Sequence, residues 1–248
     1  MTTDTLAAYR DKIAKLLAKA ERTDNEHEAE AFTAKAEALM LQYGIERAEL
    51  QAAGKVQAEE IVEKTVNWST IYAPTWGSFL YTLSFAWGDL TVLQSRYGKD
   101  HVRSYVIGHE RDVEDFLILV TSLQLQATTA MKRFRRENAE ERRYNTIHEN
   151  FVIDRSFLGG FASTCASRLR AMRREVREET PTTPGAALVL ASKQDRVDAW
   201  VAEKYPKLGK GRSSRAQHSS TGSAAGRVAG QRADLGGKRV GGTRKEIR

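Results

Sequence analysis

Three ionisable side chains stand together near the middle of the chain, directly after a glycine. His109, Glu110 and Asp112 follow Gly108 at the junction between a predicted strand and a predicted helix. A helix start offers free N–H groups and a positive dipole end, so the cluster could bind an anion or a metal, or act in an enzyme on nucleic acid or nucleotides. The plainer interpretation, which we favour, is a solvated helix start at which Glu110 and Asp112 complement the dipole.

The other residues that could do chemistry are scattered. The five histidines show no metal-ligand spacing, because the sequence contains neither HExxH nor two histidines four residues apart. The single cysteine, Cys165, cannot form an intramolecular disulfide and fits a buried helix position. The glycine patterns of phosphate loops and of serine nucleophile elbows are missing too. The sequence therefore predicts no metal site and no cofactor, and it favours a non-enzymatic protein.

The strongest signal is the charge of the tail, residues 207–248. It holds eleven Lys or Arg residues against two acidic ones, a net charge of +9, so the first 206 residues carry −2 of the formal total of +7. Cations spaced among Gly and Ser can follow a phosphate backbone and release its counterions, so we expect the tail to bind DNA or RNA. The predicted contacts are Lys207, Lys210, Arg212, Arg215, Arg227, Arg232, Lys238, Arg239, Arg244, Lys245 and Arg248.

The basic residues are also compatible with roles that involve no nucleic acid. The tail could solubilise the protein or anchor it to an acidic protein surface. The arginines of residues 168–177 could extend the polyanion-binding surface, or they could form a solvated helix paired with Glu175, Glu178 and Glu179. Because no aromatic residue follows Tyr205, the tail offers no base stacking, and any base preference must come from the body.

Hydrophobic spacing and turn residues divide the chain into helices and a few strands. The N-terminal apolar residues predict two helices that form a hairpin, with Gly44 as a left-handed stop, followed by a short helix that ends at Gly54. The predicted strands are residues 61–68, 90–97 and 102–107, of which the last two pair as a hairpin, and a short one at 187–191. The later predicted helices begin at Pro74 and span residues 111–138, 139–179 with an interruption near Asp154, and 193–204.

This pattern predicts a mainly α fold with a small antiparallel β element, in the α+β class. We expect a helical hairpin domain at residues 1–54, an α+β body with long helices at 55–206, and a basic Gly/Ser-rich tail at 207–248. Because nine of the eighteen glycines lie in the tail and large apolar residues are nearly missing there, we expect it to be disordered. Deleting it should then leave the fold intact.

The N-terminal hairpin resembles a known family. Residues 12–20 read KIAKLLAKA, residues 23–29 read TDNEHEA, and residues 34–45 begin with AKAEALM and end with YGI. This segment resembles the domain-of-unknown-function family 2786, which is common in bacteriophages and bacteria and looks like a helical hairpin. The region around Trp76, residues 106–116 and residues 156–161 is similar to what commonly follows that hairpin in phage relatives. The resemblance implies a phage or mobile-element setting and supplies no catalytic residue.

The favoured hypothesis is a nucleic-acid-associated accessory protein, encoded by a phage, whose tail supplies electrostatic affinity. One alternative is a metal-dependent or general-base enzyme centred on His109, Glu110 and Asp112. Another is an adaptor that binds a host protein through the N-terminal hairpin. The sequence shows neither a signal peptide nor the run of roughly 18 apolar residues that a membrane span requires, so we expect a cytoplasmic protein without a membrane partner.

Overall fold

The computed structural model describes residues 59–96, 98–179, 182–209, 217–233 and 235, together with short pieces of the chain between residues 11 and 54. The chain divides into two compact units, Met1–Gly44 with Asp234–Arg248, and Ile45–Ala233. Where the first unit is described before Gly44, its backbone is helical, as the hairpin prediction expects. Its buried apolar side chains there are Ile13, Ala36, Met40 and Tyr43.

Gly44 does not end a helix. It lies in a helical stretch, residues 42–45, so its prediction as a left-handed stop is wrong. The left-handed glycine is Gly54, with a φ of +69°, and its N–H donates to the Gln51 carbonyl at 3.0 Å. The short helix therefore ends at Gly54 as predicted.

The second unit is built on a three-stranded antiparallel sheet in the order β1-β3-β2. The strands are β1 (Ile61–Ser69), β2 (Leu90–Arg96) and β3 (His101–His109), which confirms the three central strand predictions. β2 and β3 form the predicted hairpin, with Leu93 opposite Tyr105, and Gly98 provides a φ of +73° in the turn. β3 is the central strand, and its successive side chains point to opposite faces of the sheet.

Helices cover both faces of this sheet. They are α1 (Ala73–Trp87), α2 (Glu110–Glu137), α3 (Ala139–Tyr144), α4 (Ile147–Glu179), α5 (Pro184–Lys204) and α6 (Ser220–Arg232). α1 lies on one face, where the Gln94 amide donates to the Gly77 carbonyl at 2.6 Å. α5 covers the other face, on which Ile107 packs with Val197 and Val201. The large apolar residues of α1 that recur at helical spacing are buried in the core: Trp76, Phe79, Leu80, Leu83 and Trp87.

Two predictions about α4 and α5 are wrong. α4 is continuous through Asp154, where an interruption was expected. Residues 187–191 belong to α5 and not to a strand. Thr183 caps this helix by accepting from the Ala186 N–H at 3.3 Å, and Pro184 stands in its first turn. A short apolar run is compatible with either a strand or a buried helix, so these start signals decide the outcome.

Part of the tail is an ordered helix, so the prediction of disorder is wrong for residues 220–232. α6 starts after Ser219, whose hydroxyl oxygen accepts from the Gly222 N–H at 3.1 Å. Gly222, Gly226 and Gly230 recur every four residues and face the backbone of α4. The prediction of disorder counted the glycines only as residues that have no apolar side chain to bury. In α6 the missing side chains allow two helix backbones to approach closely.

Within the described residues, no helix combines the length and the apolar character that crossing a bilayer requires.

Candidate nucleic-acid interface

A row of polar residues runs along the exposed side of the C-terminal half of α4. Its members recur at spacings of four and three and are all exposed: Ser163, Ser167, Arg170, Arg174 and Arg177. This spacing places them on one helix face over about 21 Å. We call Arg170, Arg174 and Arg177 the arginine ridge.

Acidic residues stand near two of the three ridge arginines, but none forms a short ion pair with them among the described residues. Glu178 stands four residues after Arg174, and Glu175 lies round the helix from the ridge. Arg177 Nη2 lies 3.9 Å from Asp89 Oδ2, a long and largely exposed contact. Among the described residues, no ion pair joins Arg170 or Arg174 to an acid. The arrangement therefore favours a cationic surface over a helix neutralised by its own glutamates.

α1 runs alongside α4 in the same direction and borders the ridge at its C-terminal end. Near the helix starts, the Tyr72 and Phe151 rings stack with centroids 5.2 Å apart. Near their ends, the Arg173 guanidinium lies 5.0 Å from the Trp87 ring centroid, a cation–π contact. Since Trp87 is buried, this contact fixes Arg173 against α1 and keeps the neighbouring ridge beside that helix.

Two exposed aromatic residues on α1 were not predicted from the sequence. Tyr81 and Phe85 lie outside the buried stripe of this helix, with 45% and 68% of their surface exposed. Their rings meet edge to face, with centroids 5.0 Å apart and an interplanar angle of 78°. The signal was present in the sequence, because an aromatic pair at i, i+4 that falls off the apolar stripe must point away from the core.

The structure describes three of the eleven predicted tail contacts. Lys207, Arg227 and Arg232 are exposed, and Arg227 Nη1 donates to the Ser223 hydroxyl oxygen at 2.9 Å on its own helix. The others lie outside the described residues: Lys210, Arg212, Arg215, Lys238, Arg239, Arg244, Lys245 and Arg248.

His109 is buried at the end of β3, with 1% of its surface exposed. Its Nδ1 lies 3.3 Å from the Glu59 carbonyl oxygen, while its Nε2 has no hydrogen-bond partner among the described residues. Burial lowers the pKa of His109, and Lys193 and Arg196 add to this effect while Asp112 opposes it. A neutral ring must then donate from Nδ1–H to the carbonyl, an assignment made from the contact.

Of the other two members of the predicted cluster, Asp112 lies near enough to His109 to influence its pKa. Asp112 Oδ2 accepts from Lys193 Nζ at 2.5 Å, which ties α2 to α5. Glu110 is exposed, and its backbone N–H donates to the Glu60 carbonyl at 3.1 Å. In the described part of the chain, no three His, Cys, Asp or Glu residues are grouped so that they could hold a metal ion. The geometry fits the helix-start interpretation better than a catalytic centre.

A buried polar cluster was not predicted from the sequence either. Asp154 Oδ2 accepts from the Tyr72 hydroxyl at 3.0 Å, from Arg135 at 2.9 Å and from Arg142 at 3.0 Å. Burial raises the pKa of Tyr72, and the Asp154 carboxylate adds to the effect. Burial, the largest single cause, works against the charge on Arg135, but the hydrogen bonds and charges of Asp154 and Tyr72 together outweigh it and raise the pKa of Arg135. This cluster joins α2, α3 and α4 to the start of α1.

Fold and surface together define an α+β protein with a cationic ridge and an exposed aromatic pair. Comparison with protein families matches residues 8–47 to the model described as "Protein of unknown function (DUF2786)". The expected resemblance of the N-terminal hairpin is thereby confirmed for that segment. No curated protein and no solved structure matches the chain.

Proposed function

We propose that the protein is a non-enzymatic, nucleic-acid-associated accessory protein of phage origin that acts in the cytoplasm of the host cell. Its arginine ridge binds the phosphate backbone, and the cations of the tail add electrostatic affinity. The observation that carries this proposal is the row of three exposed arginines on one face of α4, extended by the exposed hydroxyl groups of Ser163 and Ser167.

Arginine suits this role better than lysine. Its planar guanidinium donates two parallel hydrogen bonds to a phosphate, and its charge persists at any physiological pH. Each neutralised phosphate releases counterions, so the affinity falls as salt rises. Contacts from serine hydroxyls and arginines to phosphate groups position a nucleic acid without reading its sequence.

The test is a ridge variant in which Arg170, Arg174 and Arg177 are all replaced by Gln, a good helix former. We expect weaker binding of a fluorescent oligonucleotide, and a slope of log affinity against log salt that is shallower by roughly 2 to 3 units. Fluorescence anisotropy across a salt series measures both quantities, and circular dichroism checks that α4 persists.

The matched control removes three exposed cations from the strands and the β2–β3 turn: Lys64→Gln, Arg96→Gln and Lys99→Gln. Both variants lose the same formal charge. If the ridge contacts the phosphates directly, only the ridge variant should lose affinity for the oligonucleotide. A ridge variant that binds like the control would contradict the proposal, because net charge alone would then explain the affinity.

The two alternative functions have less support. An enzyme centred on His109 would need its three groups to converge, whereas Glu110 is exposed and Asp112 is paired with Lys193. Binding of a host protein through the N-terminal hairpin stays a prediction.

A further inference from the structure

The exposed side of α1 combines aromatic rings with a complete lack of charge. Tyr81 and Phe85 share this side with Ser78, which is also exposed. α1 contains no acidic or basic residue, so nothing in this helix repels a polyanion. The opposite side of the helix is core, as its buried tryptophans show.

The aromatic pair and the arginine ridge border one another. Phe85 precedes Trp87 by two residues and Asp89 by four. Those two residues contact Arg173 and Arg177, at 5.0 Å from ring centroid to Cζ and at 3.9 Å between ion-pair atoms. Asp89 follows the end of α1 by two residues, so the helix end that carries Phe85 borders the C-terminal end of the ridge.

Single exposed aromatic residues are common on protein surfaces and need no explanation. Two features distinguish this pair. The rings contact one another edge to face, and the arginine ridge begins beside the end of the helix that carries them. Aromatic faces next to cations are the combination with which proteins bind unpaired bases and their phosphates together.

Building on the proposed function, we propose that the ligand of this surface is single-stranded nucleic acid. Phe85, supported by Tyr81, stacks on an unpaired base while the arginine ridge binds the adjoining phosphates. Duplex bases are already stacked on one another and present only their edges and backbone, so duplex can use the ridge but not the aromatic pair. The surface should accept DNA and RNA strands alike, because every base has a π face.

The test uses the full chain with Tyr81→Leu and Phe85→Leu combined, which keeps apolar helix formers and removes both rings. Binding is measured to a labelled single-stranded DNA, a single-stranded RNA and a duplex of equal length at one salt concentration. Loss of base stacking should weaken both single strands roughly tenfold or more. Duplex affinity and the salt slope should stay unchanged, because the arginines remain.

Two controls make the outcome specific. Tyr144→Leu removes an exposed aromatic residue from α3 and should leave the affinities for all three ligands unchanged. An abasic strand should bind the wild type and the double variant equally, since it has no base to stack. Unchanged melting temperatures would show that the double variant is folded, as expected for exposed positions.

The two proposals fail separately. The stacking proposal is overturned if the double variant keeps the wild-type ratio of single-strand to duplex affinity. It is also overturned if Tyr144→Leu lowers that ratio equally. In either case the ridge variant still tests whether the arginines bind the phosphate backbone. If the ridge variant binds every ligand as the wild type does, the proposed function fails as well. Preference for RNA over DNA by more than tenfold would also overturn the stacking proposal, because contacts to the sugar and not to the bases would then decide binding.

Discussion

His109 is held neutral at the end of β3 by its surroundings. Its ring is buried, and Nδ1 contacts the Glu59 carbonyl oxygen. Nε2 has no hydrogen-bond partner among the described residues. Lys193 and Arg196 lower the pKa further, and Asp112 offsets only part of this. A proton on this ring would place a third positive charge beside the other two in a buried position.

Acid should therefore destabilise the fold through His109. Because its pKa is lowered in the folded protein, the unfolded chain binds the proton more tightly, and stability falls as pH drops below the ordinary histidine pKa of about 6.5. We expect the urea midpoint to decrease between pH 7.5 and 5.5, and His109→Gln to reduce that decrease. Urea unfolding at both pH values measures it, with the exposed His101→Gln as control. An equally large decrease in His109→Gln would assign the acid sensitivity to other groups.

Asp154 shows why some residues cannot be assigned from sequence. Its partners Tyr72, Arg135 and Arg142 lie 82, 19 and 12 residues away, so no local spacing joins them. The sequence predicts an interruption of the helix near Asp154, and that prediction was wrong. The buried carboxylate is tolerated because two guanidinium groups and a hydroxyl bind it. Conversely, the aromatic pair on α1 could have been found, since its spacing alone places it off the core face.

At the scale of elements, the α4–α6 contact depends on residues that lack side chains. An added Cβ at Gly226 would collide with the Phe157 carbonyl oxygen, and one at Gly160 with the Ser223 carbonyl oxygen. At the end of α6, Arg168 Nη1 donates to the Gly230 carbonyl at 2.7 Å and also to the Ala233 carbonyl. The glycine pair at 159–160 predicts a close helix approach, and the structure confirms it for Gly160. The four-residue repeat of tail glycines is a second signal of the same kind, and it could have been found in the sequence.

Two glycine substitutions separate packing from helix propensity. Gly226→Ala should push α6 away from α4 and destabilise the protein by about 1 to 3 kcal/mol, as overpacking does. Gly159→Ala, on α4, meets no atom within 4 Å and should stabilise the protein by about 1 kcal/mol through helix propensity. Thermal unfolding measures both changes. If both variants were stabilised, the close approach of α4 and α6 would be contradicted.

At the scale of the whole molecule, average charge conceals a local cationic surface. The first 206 residues carry a net charge of −2, yet they contain the arginine ridge. Sequence composition therefore indicated the tail, where few acidic residues offset the cations. The helix spacing of residues 170–177 produces a second cationic surface in space, because Arg170, Arg174 and Arg177 share one face of α4 while Glu175 lies on another and Glu178 is the neighbour of Arg174.

The ordered helix α6 also changes what deleting the tail should do. A chain that ends after Pro206 loses α6 along with its cations, so the backbone of α4 that faces the tail glycines becomes exposed. We expect such a chain to melt at least about 5 °C below the full-length protein, whereas sequence alone predicts no change. A chain that ends after Leu235 keeps α6 and removes residues 236–248, which carry five cations against one acid.

This longer chain should melt close to the full-length value, because the segment it lacks is too poor in apolar residues to bury much surface. Its affinity for nucleic acid should nevertheless fall and its salt slope become shallower, since fewer phosphates are neutralised. Differential scanning calorimetry and anisotropy titrations on both truncated chains measure these effects independently. We therefore expect stability and binding to separate along the tail, with α6 stabilising the fold and the cations after it contributing affinity. Equal melting temperatures for the two truncated chains would show that α6 adds nothing to stability, and an unchanged salt slope in the longer one would exclude its last cations from binding.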